Sequence, residues 1–370
     1  MTKLRIAVLN NYDLSKVETE VSRHEVPNHL LFGINYLRKY GHSITNFSVS
    51  AKSKNQVICW RQPLYSFFHL DNLYIQREVF KRLNEFDLIY CLCGGVSEWL
   101  YLQNSREIIN KPILTLYHHP LPDGKLDPIR NIFRKKIYRN QKNLLSLSAR
   151  TASSFNDLIN RQVAEPIQWG VDHEFYSKIT PSNESQVSSE IVLTCGRTSR
   201  DLTTFSKAIK IASVKAHVIC PKEEVHRLVR DDDLISVDQT TYSTTQKDNT
   251  YQKMANVIQK IKVIAIPLEK QNTLAGLTSL MDCLGFGKPV IMTKNPCIDI
   301  DIENLGIGTW VDPYDVDGWA RAINWHFENI EQSNGMGLKA KTLGKRLSAE
   351  SFGKKINSLI IEYYQNWKYN

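Results

Sequence analysis

The stretch Val263–Trp310 reads VIAIPLEKQNTLAGLTSLMDCLGFGKPVIMTKNPCIDIDIENLGIGTW, and it decides the fold class. An apolar run, VIAI, ends at Pro267 and is followed by a polar loop. Gly276 then opens an apolar helical pattern that continues to Phe286, and Gly287-Lys-Pro leads into a second apolar run. This order of strand, loop, helix and strand predicts two parallel strands joined by a crossover helix.

The start of this helix is a candidate anion site. The first backbone N–H groups of a helix have no partner inside the helix, and the helix dipole favours negative charge there. The groups concerned belong to Ala275, Gly276, Leu277 and Thr278. Gly276 would also let a ligand approach the backbone closely. Asp282, further along the helix, could accept hydrogen bonds from a pair of sugar hydroxyls. Any strand–loop–helix unit has a free helix start, so the interpretation needs a second motif.

That second motif is Cys195–Asp201, CGRTSRD, which follows another apolar run, IVLTC. Gly196 permits a tight turn, and Arg197 and Arg200 place two guanidinium groups just before a helical pattern. Paired guanidinium groups suit a diphosphate, although a single arginine is more often a solvated surface cation.

Short apolar runs alternate with helical patterns through both halves of the chain. The alternation predicts an α/β protein with two tandem Rossmann-like, doubly wound domains and a ligand cleft between them. The predicted strands are Arg5–Leu9, Ile44–Val49, Asp87–Cys93, Ile113–Tyr117, Ile191–Cys195, Ala216–Ile219, Val263–Ile266 and Pro289–Met292.

Composition also predicts the domain boundaries. The stretch Lys178–Glu190, KITPSNESQVSSE, is polar, contains Pro, Asn and Ser, and has no periodicity, which is typical of a linker. It separates a first domain, residues 1–177, from a second, residues 191–350. The last segment, residues 351–370, has apolar and basic residues at helical spacing, and we expect it to pack back on the first domain.

The overall composition excludes several classes of protein. With 42% hydrophobic and 23% charged residues over 370 positions, the chain is neither disordered nor a disulfide scaffold. It has no run of about 20 apolar residues, and its start turns polar after one short apolar run, so we expect a cytoplasmic protein without a signal peptide. The seven cysteines lie mostly in apolar runs and are expected to be reduced, buried thiols. Cys91 and Cys93 lack a second pair that would complete a zinc site, and no metal is expected.

The net charge of +9 is concentrated in the first half. Residues 1–170 contain 23 Lys and Arg against 14 Asp and Glu, whereas residues 171–370 contain 24 of each. The densest basic run lies within Ile129–Lys142, where apolar positions 129, 132, 133 and 137 are predicted to share one helical face. In one interpretation this is a solvated surface helix whose apolar face packs on the sheet. In the other, the basic residues of Arg130–Lys142 attract anionic lipid at the inner face of a membrane, or an anionic acceptor. Nucleic acid fits worst, because no known reader module accompanies the run.

Taken together, the motifs resemble those of the GT-B glycosyltransferases, most closely the retaining GT4 type. The resemblance covers most of the chain, and the matching stretches are Ile167–Asp172 with Phe175, Gly196–Ala208, Gly276–Asp282 with Gly287–Ile291, and Trp310–Asp315. It implies transfer of a sugar from a UDP- or GDP-sugar, with retention and with neither metal nor cofactor. The acceptor would be a glycan, a lipid-linked molecule or another anionic, membrane-proximal molecule.

The resemblance also implies roles for individual residues. Asp282 would bind the ribose of the donor, while Gly196, Arg197, Arg200 and the helix start would bind its diphosphate. His118, directly after the predicted strand ILTLY, would contact the donor sugar. The acceptor would meet four residues of the first domain, namely Asn11, Glu25, His29 and His119.

Two features depart from the family pattern. The family has two acidic residues eight positions apart, but Leu274 occupies the first of these positions here and cannot hold a sugar hydroxyl. Glu269, Asn272 and Thr273 are candidates to replace it. The family's glycine-rich loop after the first strand is replaced by Asn10-Asn-Tyr-Asp-Leu. Two other functions therefore stay open, a sugar-nucleotide epimerase on the same scaffold and a catalytically degenerate sugar-nucleotide-binding module.

Overall fold

The computed structural model describes residues 2–48, 72–124, 127–179, 190–229, 233–240 and 250–369. The chain divides into two compact units. The first comprises Met1–Arg23, Asn28–Trp169 and Ala349–Asn370, and the second comprises His24–Pro27 and Gly170–Ser348. Most of the predicted linker, residues 180–189, lies outside the described residues.

The first unit contains a six-stranded parallel sheet in the order β2-β1-β3-β4-β5-β6. Its middle strands β3 and β4 are mostly apolar and are buried along their whole length, as is usual when helices cover both sides of a parallel sheet. The strands are β1 Arg5–Asn10, β2 Ser43–Ser48, β3 Leu88–Cys91, β4 Ile113–Tyr117, β5 Leu144–Ser146 and β6 Ala164–Pro166. The described helices that connect them are α1 Leu14–Ser22, α2 Ile34–Lys39, α3 Leu73–Lys81, α4 Glu98–Asn104, α5 Asp127–Tyr138 and α6 Ala149–Ile159, with 3-10 turns at Asn28–Leu31 and Leu83–Glu85.

The second unit repeats this architecture, with a parallel sheet in the order β12-β11-β10-β7-β8-β9. Its strands are β7 Ile191–Cys195, β8 Lys215–Pro221, β9 Ile235–Thr240, β10 Ile261–Ile266, β11 Val290–Thr293 and β12 Gly308–Val311. Its described helices are α7 His173–Ile179, α8 Leu202–Ala212, α9 Thr250–Val257, α10 Leu277–Phe286, α11 Val316–Glu328 and α12 Ile330–Arg346, with 3-10 turns at Lys222–Arg227 and Ile258–Lys260. The two sheets confirm the predicted pair of doubly wound, Rossmann-like domains.

Each sheet has a point where the strand order reverses. In the first unit β1 lies between β2 and β3, and in the second β7 lies between β8 and β10. The crevice at the carboxyl ends of the strands on either side of such a point is the usual ligand site of an open α/β sheet. The order of strands therefore directs attention to the chain that follows β7 and β10.

The last helix, α13 (Ala349–Tyr369), belongs to the first unit although it follows the second in sequence. It lies close to α2, where Gly33 and Gly353 allow the two backbones to approach. The imidazole Nε2 of His42 lies 2.8 Å from Oδ1 of Asn357. The first unit is therefore completed only by the last segment of the chain.

The orientation of helix α5 corrects the sequence prediction. Ile129, Ile132 and Phe133 were expected to pack on the sheet, but they are 53%, 68% and 41% exposed. Of the four predicted inward positions only Ile137 is buried. The prediction was therefore wrong for three of its four residues, and the helix is rotated about its axis relative to its apolar pattern.

A buried ion pair accounts for this rotation. Arg134, predicted to lie on the basic surface, is only 2% exposed. Its guanidinium group lies 3.2 Å from Asp127 and 2.8 Å from the side-chain oxygen of Asn131, and it also donates to the carbonyl of Pro122. Because a buried guanidinium group needs such partners, the helix turns this polar side inward and leaves its isoleucines outside.

Candidate functional site

The two loops predicted to hold a diphosphate lie side by side in the second unit. Arg200, after β7, forms an isolated bridge with Leu268, after β10. The amide of Glu269 donates to the carbonyl of Ser199 at 3.0 Å, and the amide of Asp201 donates to that of Pro267 at 3.1 Å. The motif Cys195–Asp201 and the loop that begins at Pro267 are thus joined at the point where the strand order reverses.

Arg200 also ties the first loop to helix α10. Its buried guanidinium group donates to Ser279 Oγ at 2.7 Å, to the Cys195 carbonyl at 3.2 Å and to the Thr198 carbonyl at 3.0 Å. Gly196 allows this arrangement, because a Cβ there would come within 2.2 Å of the guanidinium group. Arg200 therefore positions the loops, whereas Arg197 is half-buried at the same turn.

The start of α10 is built around Gly276. This residue has a φ of +89°, and a Cβ on it would lie 2.6 Å from Met292 Cε and 3.1 Å from Leu268 Cδ1. The positive φ and the lack of space for a Cβ therefore require glycine here, whether or not a ligand approaches the backbone. In the described part of the chain, no side chain caps the helix at this position. Its first N–H groups therefore have the character of an anion site.

The loop before α10 is held by Asn295, which the sequence analysis missed. Its side-chain amide donates to the carbonyls of Thr273 and Ala275, both at 3.0 Å. Asn295 follows the carboxyl end of β11, a parallel strand next to β10. A polar residue at that position is a signal that the sequence contained. The amide fixes the backbone on which the candidate anion site depends.

Two of the candidates for the missing acidic position have partners of their own. Glu269 forms an ion pair with Arg227, and Thr273 Oγ1 donates to the side-chain oxygen of Gln271 at 2.6 Å. Leu274 itself is buried. Glu269 and Thr273 would each have to give up its present partner before it could bind a ligand.

Asp282 lies in a buried pocket formed with two tyrosines. The hydroxyl of Tyr176 donates to Asp282 Oδ1 at 2.6 Å, and Tyr251 also hydrogen-bonds to this carboxyl group. Burial raises the pKa of Asp282 to about 7. A Cβ on Gly285 would overlap the Tyr176 ring, so the glycine one turn along the helix makes room for the tyrosine. The sequence analysis missed both tyrosines.

In the first unit, the predicted sugar-contacting His118 belongs to an aromatic cluster. Its ring lies 4.8 Å from that of Phe32, which stacks on Trp169 at 5.4 Å, and His29 meets the same tryptophan at 4.8 Å. Burial lowers the pKa of His118 to about 4 and that of His29 to about 3, so both rings are neutral at pH 7. His118 Nε2 is buried and has no hydrogen-bond partner among the described residues.

A cavity of about 250 Å³ lies beyond β3 and β4 in the first unit. Glu98 is the acidic residue that lines this cavity. Its carboxyl group accepts hydrogen bonds from the backbone amides of Gly95 and Ser97 and from the hydroxyls of Tyr117 and Tyr138. Burial raises the pKa of Glu98. The predicted acceptor residue His119 also lines the cavity, together with Gly94, Pro120, Leu121, Pro122, Arg134, Ile137 and Phe155.

Comparison with known proteins gives the same fold. No family model matches the chain, and no curated protein matches it in sequence. Among solved structures, a glycosyltransferase from Rickettsia africae is 16% identical, with a TM-score of 0.68 and complete coverage of both chains. Anabaena HepE, in complex with UDP and glucose, is 14% identical with a TM-score of 0.63, covering 97% of this chain and 100% of its own. The trehalose 6-phosphate synthase of Burkholderia multivorans is 13% identical with a TM-score of 0.68 over 99% of both chains.

The chain has the GT-B fold. Its predicted donor residues lie in the second unit, around the carboxyl ends of β7 and β10 and along α10. The predicted acceptor residues do not share one environment. Asn11 and His119 are exposed and His29 is buried, all three in the first unit, whereas Glu25 belongs to a short segment grouped with the second unit.

Within the described residues there is no group of three or more His, Cys, Asp or Glu side chains that could hold a metal ion. None of the described helices is both long and apolar enough to cross a membrane.

Proposed function

We propose that this protein is a glycosyltransferase that moves a sugar from a nucleoside diphosphate sugar to an acceptor, with retention at the anomeric carbon. One observation carries the proposal: where the strand order of the second sheet reverses, Arg200 in the loop after β7 hydrogen-bonds to Ser279 in the first turn of α10, whose start has no side-chain cap. The solved GT-B structures of similar fold include Anabaena HepE with UDP-glucose, which supports a uridine donor.

The chemistry would depend on charge developing on the departing diphosphate. The N–H groups at the start of α10 and the guanidinium group of Arg197 would stabilise this charge in a pre-arranged site. Removing one such donor typically costs a factor of about 10² to 10³ in rate. The mechanism needs no metal ion, because these groups supply the positive potential. Asp282 would bind the ribose once a hydroxyl of the ligand competes with Tyr176.

The first unit would supply the groups that meet the sugar and the acceptor. His118 is neutral above about pH 5 because the pKa of its buried ring is lowered to about 4. Its Nε2, which has no hydrogen-bond partner among the described residues, would form a hydrogen bond with a hydroxyl of the donor sugar. The cavity at Glu98 and His119 suits a hydroxyl-bearing acceptor, which we expect to be a glycan or a lipid-linked or other anionic molecule.

Titration calorimetry with a panel of UDP- and GDP-sugars tests the donor assignment. We expect one of them to bind, and we expect incubation with acceptor extracts to give a product of the same anomeric configuration by NMR. If no nucleotide sugar binds, the proposal is wrong. Conversion of the donor into its epimer without any acceptor would indicate an epimerase instead.

The Arg197→Ala variant tests the mechanism. We expect kcat/KM for the donor to fall about 10²-fold, since the variant removes one donor to the departing diphosphate. Arg321→Ala is a matched control, because this arginine is on the same unit with its side chain 73% exposed. Full turnover of Arg197→Ala at limiting donor would exclude the proposed diphosphate site.

A further inference from the structure

The outer face of helix α5 exposes three large apolar side chains. Ile132 is 68% exposed, and Ile129 and Phe133 lie three residues before it and one residue after it, so all three project from one side of the helix. Exposed single hydrophobic residues are common, but a group of three on one helical face marks an interaction site more often. The group lies at the surface because the opposite face of α5 holds the buried Arg134.

Basic residues share this face and carboxylates do not. Lys135 and Lys136 are exposed on the same side of the helix, and Arg139 and Lys142 are exposed just beyond its end. The only acidic residue between positions 127 and 142 is Asp127, which is buried against Arg134. The outer face therefore combines apolar side chains with positive charge that forms no ion pair among the residues the structure describes.

The combination of apolar and basic side chains favours one kind of partner over the others. A second copy of the chain would place the same basic residues against each other, and like charges in contact oppose association. Nucleic acid would use the lysines, but its phosphates offer nothing to three exposed apolar side chains. A surface of anionic lipid satisfies both groups, because the headgroups attract the lysines while the apolar side chains enter the boundary of the acyl chains.

We propose that the outer face of α5 binds the surface of an anionic membrane. The 12-residue helix, about 18 Å long, would lie parallel to the membrane plane. Ile129, Ile132 and Phe133 insert among the lipids, and Lys135, Lys136 and Arg139 contact the headgroups. Binding of this surface to lipid does not depend on the glycosyltransferase activity.

Vesicle co-sedimentation with the full-length protein tests this surface. Wild-type protein is expected to bind vesicles that contain phosphatidylglycerol and not vesicles of phosphatidylcholine alone. Ile129→Ser/Ile132→Ser should lower the partition coefficient about tenfold or more, since apolar surface no longer leaves water. Lys135→Gln/Lys136→Gln should lower it by a similar factor and reduce its dependence on salt.

Matched controls separate this face from a general effect of exposed residues. Leu338→Ser removes a side chain that is 70% exposed on α12, and Lys354→Gln/Lys355→Gln neutralises an adjacent exposed pair on α13. Both controls should bind vesicles like the wild type, and unfolding midpoints should show that all variants are folded. The proposal is overturned if wild-type protein ignores anionic vesicles, or if the α5 variants bind as well as the controls. It is also overturned if Ile129→Ser/Ile132→Ser dissociates a dimer that forms without lipid.

Discussion

Asp282 is the residue whose predicted role and observed surroundings differ most. The sequence placed it as an open ligand for ribose, whereas the structure encloses it with Tyr176 and Tyr251. Burial penalises the charged form of this carboxyl group more than the hydrogen bonds from the two tyrosine hydroxyls favour it, so the group keeps its proton more readily. Its protonation should therefore be visible in the stability of the protein.

The Asp282→Asn variant tests how protonation of Asp282 affects the stability of the protein. The pKa of Asp282 is raised from 3.8 to about 7, so the folded protein holds a proton between these values that the unfolded chain has released. The contribution of this proton to stability is present below pH 4 and is lost as the pH rises to 7. We expect the Asp282→Asn variant, whose side-chain amide does not titrate, to gain up to roughly 4 kcal/mol relative to wild type between pH 4 and pH 8.

Denaturant unfolding at pH 4, 6 and 8 measures this difference. Asp157→Asn, which changes an exposed carboxylate on α6, should keep the wild-type pH profile. Equal slopes for wild type and Asp282→Asn would show that the buried carboxyl group does not titrate in this range. Donor KM provides an independent readout of the proposed ribose contact.

At the scale of elements, the start of α10 depends on one residue with a positive φ. Gly276→Ala should destabilise the protein by about 1 to 3 kcal/mol, because alanine is strained at φ +89° and its Cβ would overlap Met292. Gly335→Ala is the matched control, since this glycine lies within α12 with no atom within 4 Å of the added Cβ. It should stabilise the helix by about 0.5 to 1 kcal/mol. Denaturant midpoints of the two variants that move in the same direction would contradict this account.

Elements of high apolar content could be predicted from the sequence, and short or polar ones could not. All eight predicted strands correspond to observed strands, although Val49 lies outside the described residues. Four described strands were not predicted as strands: β5 and β6, which have three residues each, and β9 and β12, whose sequences ISVDQT and GTWV lie at sheet edges where polar residues are tolerated. The family resemblance covered only the end of β12, in the stretch Trp310–Asp315. Short strands and edge strands were not recognised, because they need few apolar residues and so lack a clear apolar pattern.

The face of helix α5 was mispredicted for a different reason. Hydrophobic periodicity assumes that the apolar side is the buried side. Here Asp127 and Arg134, two turns apart on one face, form a buried pair and override that assumption. An acidic residue followed seven positions later by a basic one was the available signal, but it is equally typical of an exposed face.

The candidate site was predictable to the extent that it lies on contiguous motifs. Cys195–Asp201 and the start of α10 were identified because both follow strands and carry glycine and arginine. Tyr176 was not, since it is 106 residues from Asp282 in sequence and meets it only in the folded unit. Contacts at such separation depend on tertiary packing, and nothing in the local pattern of α7 indicates them.

At the scale of the whole molecule, the chain returns to its first unit at its end. The backbone amide of Leu4 donates to Nδ1 of His42, so Nε2 carries the proton and donates to Asn357. This chain of hydrogen bonds connects the start of β1, the turn before β2 and helix α13. Phe352, Ile356 and Ile360 are buried on the same helix. The stability of the first unit should therefore depend on residues that follow the second.

Ile356→Ala tests this dependence. The side chain is fully buried and lies beside Gly33 of α2, so its truncation should cost about 2 to 4 kcal/mol. Hydrogen exchange followed by mass spectrometry should show faster exchange in β1, β2 and α2, while β7 and β10 keep their protection because they lie in a separate compact unit. Leu338→Ala, on an exposed position of α12, should leave both units unchanged. Equal loss of protection in both units would mean that they unfold as one, and loss confined to β7 and β10 would assign the last helix to the second unit.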